Sequence, residues 1–325
     1  MGIAAGARSR QLRQSLTLTR LALASVIVNV VIVVTGGAVR LTQSGLGCPT
    51  FPSCGDGSLI PTRRFGVNGI IEFTNRQLTF VVVAVVVATL VVAILDRREI
   101  RLSVLLAASI PAQALLGGLT VLTHLNPWLV AAHFLLSMAI ISVAFTLWWR
   151  VSGHTGPASS RAIRQGAVLL TGITALVLAI GTVVTGSGPH AGDADASGKV
   201  HRTGLPVGSV SQLHADVVML LIGVTIGFVL LAQVAGAHRQ LLRAARVLLA
   251  VELAQGLIGF VQYFTHIPAL LVGVHMFGAC LVWLAALRVL LSSRAAAEPF
   301  GNPNQEEPDV RRSYSPSEAD SPFSS

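Results

Sequence analysis

Eight apolar runs of about twenty residues, almost free of charge, punctuate the chain at roughly 18–39, 70–95, 102–122, 128–149, 165–186, 213–235, 246–263 and 267–289. At about 1.5 Å of rise per residue, each can cross the hydrocarbon core of a bilayer as an α-helix. The first run resembles a secretory signal only in its position. It is long, and Thr35-Gly36-Gly37-Ala38-Val39-Arg40 makes a poor cleavage site, so it reads as a retained span. The chain then divides into a basic tail (1–17), a four-helix half (18–150), a linker rich in Ser, Gly and Pro (151–163), a second four-helix half (164–291) and a polar, Pro-rich tail (292–325) expected to be disordered. The expected fold is an all-α integral membrane protein: eight transmembrane helices in two tandem, pseudo-symmetric four-helix bundles.

The halves repeat each other. Residues 112–133 align with 254–275 at an offset of 142, and nine of 22 positions are identical, among them Gln113/Gln255, Gly117/Gly259, His124/His266 and His133/His275. Apolar composition alone matches leucines and valines, not glutamines and histidines in register. The long connections after the first and fifth runs also open alike, Val33-Val34-Thr35-Gly36 against Val183-Val184-Thr185-Gly186. Since each half has an even number of spans, the copies should be parallel, related by an axis along the membrane normal.

Composition sharpens the picture. With 11% charged residues, 53% hydrophobic residues and a mean hydropathy of +0.71, the chain is too poor in polar surface for a soluble protein of its size. Of the 23 Lys and Arg, 17 fall on the side of the spans that also holds both termini; the other six are Arg40, Arg63, Arg64, Arg76, Lys199 and Arg202. Both termini are therefore expected in the cytoplasm. The net charge of +9 reads as a topology signal and an attraction to anionic lipid, with no pattern for nucleic acid. Cys48 and Cys54 fall in the first outer connection, where thiols can be oxidised: they form a disulfide or remain free. Cys280, inside the last run, reads as a small buried hydrophobe.

Histidine in hydrocarbon is costly and usually functional, often as a metal ligand. His133 and His275 lie within about two turns of the outer ends of their spans, and His214 at the start of its own. His214 and His275 come from two helices at similar depth, an arrangement that clamps one haem iron between two imidazoles; the bland alternative is a hydrogen-bonded core histidine. The first half differs. His133 matches His275, but the counterpart of His214 is Asn75, a poor iron ligand, with Glu72 one turn earlier on the same face. Two axial ligands suit electron transfer, whereas an open iron face beside a carboxylate suits chemistry. His124 and His266, beside short turns, read as hairpin caps rather than haem contacts. His190 is a candidate propionate contact. Arg40, Arg76 and Arg202 are either propionate partners or interfacial snorkelling arginines. His154, His201 and His238 read as solvated loop residues, and Glu252 as lying near the cytoplasmic end of the seventh run with its charge in reach of water.

Several of these motifs, in order, resemble the haem A synthases. They are Gly36-Gly37-Ala38-Val39-Arg40-Leu41-Thr42, Ser44-Gly45-Leu46-Gly47-Cys48-Pro49 followed by Cys54, Glu72 to Arg76, Asn126-Pro127-Trp128 with His133, Thr185 to His190, and His214 with His275. The resemblance covers about residues 20–291. It implies an eight-helix, two-fold pseudo-symmetric membrane enzyme that oxidises the C8 methyl of haem O to a formyl group by successive hydroxylations, with water as the oxygen source, for cytochrome oxidase. It also implies haem b between His214 and His275, with substrate haem O in the first half at His133, Asn75 and Arg76. Glu72 would be the catalytic residue, and Cys48 and Cys54 a redox pair that handles haem. The implied partners are membrane lipid, the farnesyltransferase that supplies haem O, the cytochrome oxidase assembly route and an unnamed electron acceptor, with homo-oligomerisation left open. The departure is Asn75, where many relatives have histidine; it speaks against a bis-histidine substrate site. The alternative function, a dihaem b membrane cytochrome that only moves electrons, would call for four histidines, and Asn75 counts against it.

Overall fold

The computed structural model describes residues 2–45, 66–154, 159–192 and 198–294, with side chains from 16 and, after the first gap, from 70. Its helices are α1 (Gly2–Leu41), α2 (Gly66–Leu95), α3 (Ile100–Leu122), α4 (Pro127–Val151), α5 (Arg161–Ser187), α6 (Val207–Val234), α7 (Arg239–Phe264) and α8 (Ala269–Ser292). Among the described residues, these eight are all long and apolar enough to cross a membrane. Their outward faces carry side chains such as Phe80, 67% exposed, Val234, 90%, and Leu270, 79%. Lipid, not water, is the solvent such a surface fits. The chain is an all-helical, multi-span membrane protein. Cys48 and Cys54 and nearly all of the C-terminal tail (295–325) lie outside the described residues.

The helices overrun the apolar runs. α6 begins at Val207 instead of near 213, and α7 at Arg239 instead of near 246. Caps and backbone hydrogen bonds set these ends, and hydropathy does not sense them. Ahead of α7, Nδ1 of His238 accepts from Leu241 N at 3.3 Å; ahead of α4, Asn126 Oδ1 accepts from Trp128 N at 3.0 Å, with Pro127 in the first turn. The α3–α4 and α7–α8 turns share one device. His124 and Leu125 (φ 51° and 60°) and His266 and Ile267 (φ 62° and 58°) are left-handed. Bonds of 2.8 Å from Leu125 N to Thr120 O and from Ile267 N to Gln262 O close the turns. A β-branched residue at the last of these positions is strained. The loop histidines are less solvated than expected, because rings and carbonyls lie within reach. His154 stacks on Trp149 with centroids 4.1 Å apart, and His201 on His124 at 6.4 Å. Nε2 of His238 meets Ser292 O at 2.9 Å.

Each half closes as a ring. α1 and α3 both pack on α2 and α4; α5 and α7 both pack on α6 and α8. Across each ring, α2 and α4, and likewise α6 and α8, make no packing contact among the described residues. Contacts of α1 with α8, and of α4 with α5 and α8, join the two rings. Where α1 crosses α8, a Cβ on Gly37 would stand 1.7 Å from Cε of Met276, so any side chain there would have to displace the flexible end of that methionine. Trp283 of α8 spans the same joint, its Nε1 donating to Met138 O at 2.9 Å and Ser142 Oγ at 3.0 Å. Replacing Trp283 by Phe strands these acceptors and should cost about 1 kcal/mol. A lower thermal midpoint of the detergent-solubilised protein checks this; an unchanged midpoint would show that the bond contributes nothing.

Candidate functional site

One end of the bundle carries the α3–α4 and α7–α8 turns and the described residues between α5 and α6, and the histidines stand just inside it. His133 lies six residues past the start of α4, His275 six past the start of α8, and His214 seven past the start of α6. At the helical rise all three sit about 10 Å in. The longer α6 brings His214 from the expected helix start to this common depth. Each imidazole rests against a glycine of a neighbouring helix. A Cβ on Gly117 would lie 3.1 Å from Cε1 of His133, one on Gly181 3.2 Å from Cε1 of His214, and one on Gly259 3.8 Å from Cε1 of His275. Any larger residue at Gly117 or Gly181 would push the ring aside. In His133 and His275, Nδ1 is buried without a hydrogen-bond partner; in His214, Nδ1 lacks a well-aligned partner, and the ring has the Val177 carbonyl within reach. Such orphaned ring atoms are rare and call for an explanation beyond core packing.

His214 and His275 occupy α6 and α8, the diagonal of the second ring whose helices do not touch. The two imidazoles stand at the same depth along these helices. In the first ring the same diagonal, α2 and α4, carries Glu72 and Asn75 on one side and His133 on the other. Glu72 is 5% exposed and ion-paired with Arg76 one turn on. Oδ1 of Asn75 accepts from Thr35 Oγ1 at 2.7 Å. Gln113 of α3 donates to the carbonyl of His133 at 3.2 Å and to Ser137 Oγ, which fixes the backbone behind the imidazole.

Arg40 and His190 form a strap over this end. Arg40 donates to the carbonyls of His190 (2.6 Å), Ala191 (2.9 Å) and Thr185 (3.2 Å), and His190 Nε2 meets Ile267 O at 2.9 Å. Helix α1 thereby holds the α5–α6 connection and the α7–α8 turn together. Arg202 is exposed. Among the described residues, no three His, Cys, Asp or Glu side chains cluster as a bare metal ion would need. The imidazoles come in ones and twos, the donor set for an iron already held by a macrocycle.

The COX15-CtaA family, described as a cytochrome oxidase assembly protein, matches residues 19–287, a stretch that runs from within α1 to within α8. The chain belongs to this family. A heme A synthase from Exiguobacterium sibiricum is 31% identical over 153 residues, 43% of this chain and 51% of that protein. The chain thus spans about half the length of this relative. Two residues beside these side chains carry no signal of chemistry in the sequence. Thr35, noted only as part of a repeated segment, holds Asn75. Gly181, one small residue in an apolar run, makes room for His214. A glycine in mid-helix facing a neighbouring helix was the available signal for the second; for the first there was none.

Proposed function

We propose that this protein is a haem A synthase, oxidising the C8 methyl of haem O to a formyl group by successive hydroxylations in cytochrome oxidase cofactor biosynthesis. The observation that carries the reading is the contrast between the two diagonals: paired imidazoles on α6 and α8, and one imidazole opposite a buried, ion-paired glutamate on α2 and α4. Bound between His214 and His275, haem b supplies a one-electron redox centre. The glycines behind these rings and the buried Nδ1 atoms support that fit.

Substrate haem O is held in the N-terminal half by His133, backed by Gly117 and braced by Gln113. Overall, the methyl group and one water yield the formyl group, four protons and four electrons. Glu72 takes protons from the reacting carbon's substituent or stabilises positive charge there, and Arg76 offsets the glutamate's own charge. Asn75, with Oδ1 engaged by Thr35, positions rather than ligates. Arg40 and His190 keep the lid of connections in place over the haem edges. Both termini are cytoplasmic in this reading, the haem sites face the outer leaflet of the cell membrane, and Cys48 and Cys54 pair as an outer redox disulfide.

The test is to co-express the chain with a haem O source and extract the membrane haems: haem A should appear, and its absence beside intact haem b would favour pure electron transfer. Asn75→Ala should retain most turnover, since no iron ligand is removed. A loss beyond about tenfold in the same assay would show that the amide takes part directly.

A further inference from the structure

Glu252 is not where its sequence position suggested. It is the fourteenth residue of α7 (Arg239–Phe264), close to the middle of the span, and is only 3% exposed. The early start of α7 moves the cytoplasmic end of the helix about 20 Å away. One carboxyl oxygen accepts from Oγ1 of the fully buried Thr225 at 3.0 Å; the other, Oε2, is buried and has no partner. No ion pair reaches it among the described residues.

The ionisable surroundings are sparse. Among the described residues, α7 packs only on α6 and α8. On α6 the titratable groups are His214 and Asp216, both near the histidine end. On α8 they are His275, Cys280 and Arg288, and on α7 itself Arg239, Arg243, Arg246 and Tyr263. An unpaired carboxylate in hydrocarbon is costly, and a proton removes the cost. Packing does not require the acid: at the repeat offset of 142 its counterpart in the first half is Ile110. The carboxyl belongs only to the half with two imidazoles. It also lies on a polar line toward them. Gln255, one turn on, has a buried, unpartnered Oε1, and Gly259, two turns on and on the same face, backs His275.

We propose that Glu252 is a proton-binding site coupled to the haem of the C-terminal half, taking up one proton when an electron arrives there and releasing it when the electron leaves. The inference rests on the haem A synthase reading, in which the electron is removed from the substrate methyl; the proton comes from the aqueous phase. Carboxylate plus proton gives carboxylic acid as ferric iron plus one electron gives ferrous, so net charge in the half is unchanged by each transfer. Over the roughly 10 Å of helix between Glu252 and Gly259, one charge should alter the proton affinity of the carboxyl about tenfold. That corresponds to about 59 mV of midpoint potential.

The test is a redox titration of the purified full-length protein at several pH values, with redox-difference infrared spectra of the same samples. In the wild type the haem b midpoint should fall with rising pH and the difference spectrum should show a carboxylic C=O band. Glu252→Gln should flatten the first and abolish the second; Glu252→Asp should restore both, with the band displaced. An unchanged pH dependence and band in Glu252→Gln would overturn the proposal. If Glu252→Gln does not retain haem, the wild-type spectrum decides against Glu252→Asp: no carboxyl band, or a band the aspartate leaves unmoved, equally overturns it. Failure of the underlying reading shows up separately, as wild-type samples that hold no haem b or form no haem A.

Discussion

Glu72→Gln should abolish haem A formation, by about 100-fold or more, and leave the b-type spectrum of the C-terminal half intact. The substitution keeps the shape of the side chain and removes its charge and its capacity to take a proton. Its local cost is limited because Arg76, whose side chain is 19% exposed, can turn to water at the membrane interface once its partner is gone. α2 lies in the other ring from α6 and α8 and does not pack on either, so the second site has no direct route by which to sense the change. Haem extraction from membranes with a haem O source, alongside a reduced-minus-oxidised spectrum, measures both. Loss of both signals would assign Glu72 a structural role instead.

The second large effect is expected at the paired imidazoles. His275→Ala and His214→Ala should each eliminate the low-spin b spectrum and most of the haem content of the purified protein, with haem A falling in parallel. On the proposed reading each removes one of the two imidazoles that would hold the iron, and each opens a void beside Gly259 or Gly181. His133→Ala should behave differently, keeping the b-type signal and losing substrate binding and haem A. If His133→Ala instead removed the b-type spectrum while His275→Ala spared it, the assignment of the two halves would be reversed. Full spectral retention in all three variants would leave no axial role for any of these histidines.

Most of the architecture was legible along the chain because a bilayer makes hydropathy decisive. Eight continuous, charge-poor runs of this length read as helices, since a helix satisfies its own backbone inside lipid and barrel strands are shorter and alternate apolar with polar residues. Registered glutamines and histidines in the 112–133 and 254–275 segments likewise pointed to the imidazoles at the ends of α4 and α8. Helix ends were less readable. His238 caps α7 through side-chain geometry that a hydropathy run does not contain, and α6 starts behind Pro206; both helices proved longer than their apolar cores.

By itself, then, the sequence determined the spans and the repeat between its halves, and it pointed to Glu72, His133, His214 and His275 as the candidates for chemistry. Only the tertiary structure decided their relations. It put α6 and α8, and α2 and α4, on open diagonals, gave His214 the same depth as its partner, and turned Arg40 and His190 into a strap on backbone carbonyls. It also moved Glu252 from an imagined water contact to the buried centre of α7. The reason is physical: hydropathy is a sum over neighbours in the chain, whereas burial, pairing and the close approach of glycine to imidazole depend on helices distant in sequence.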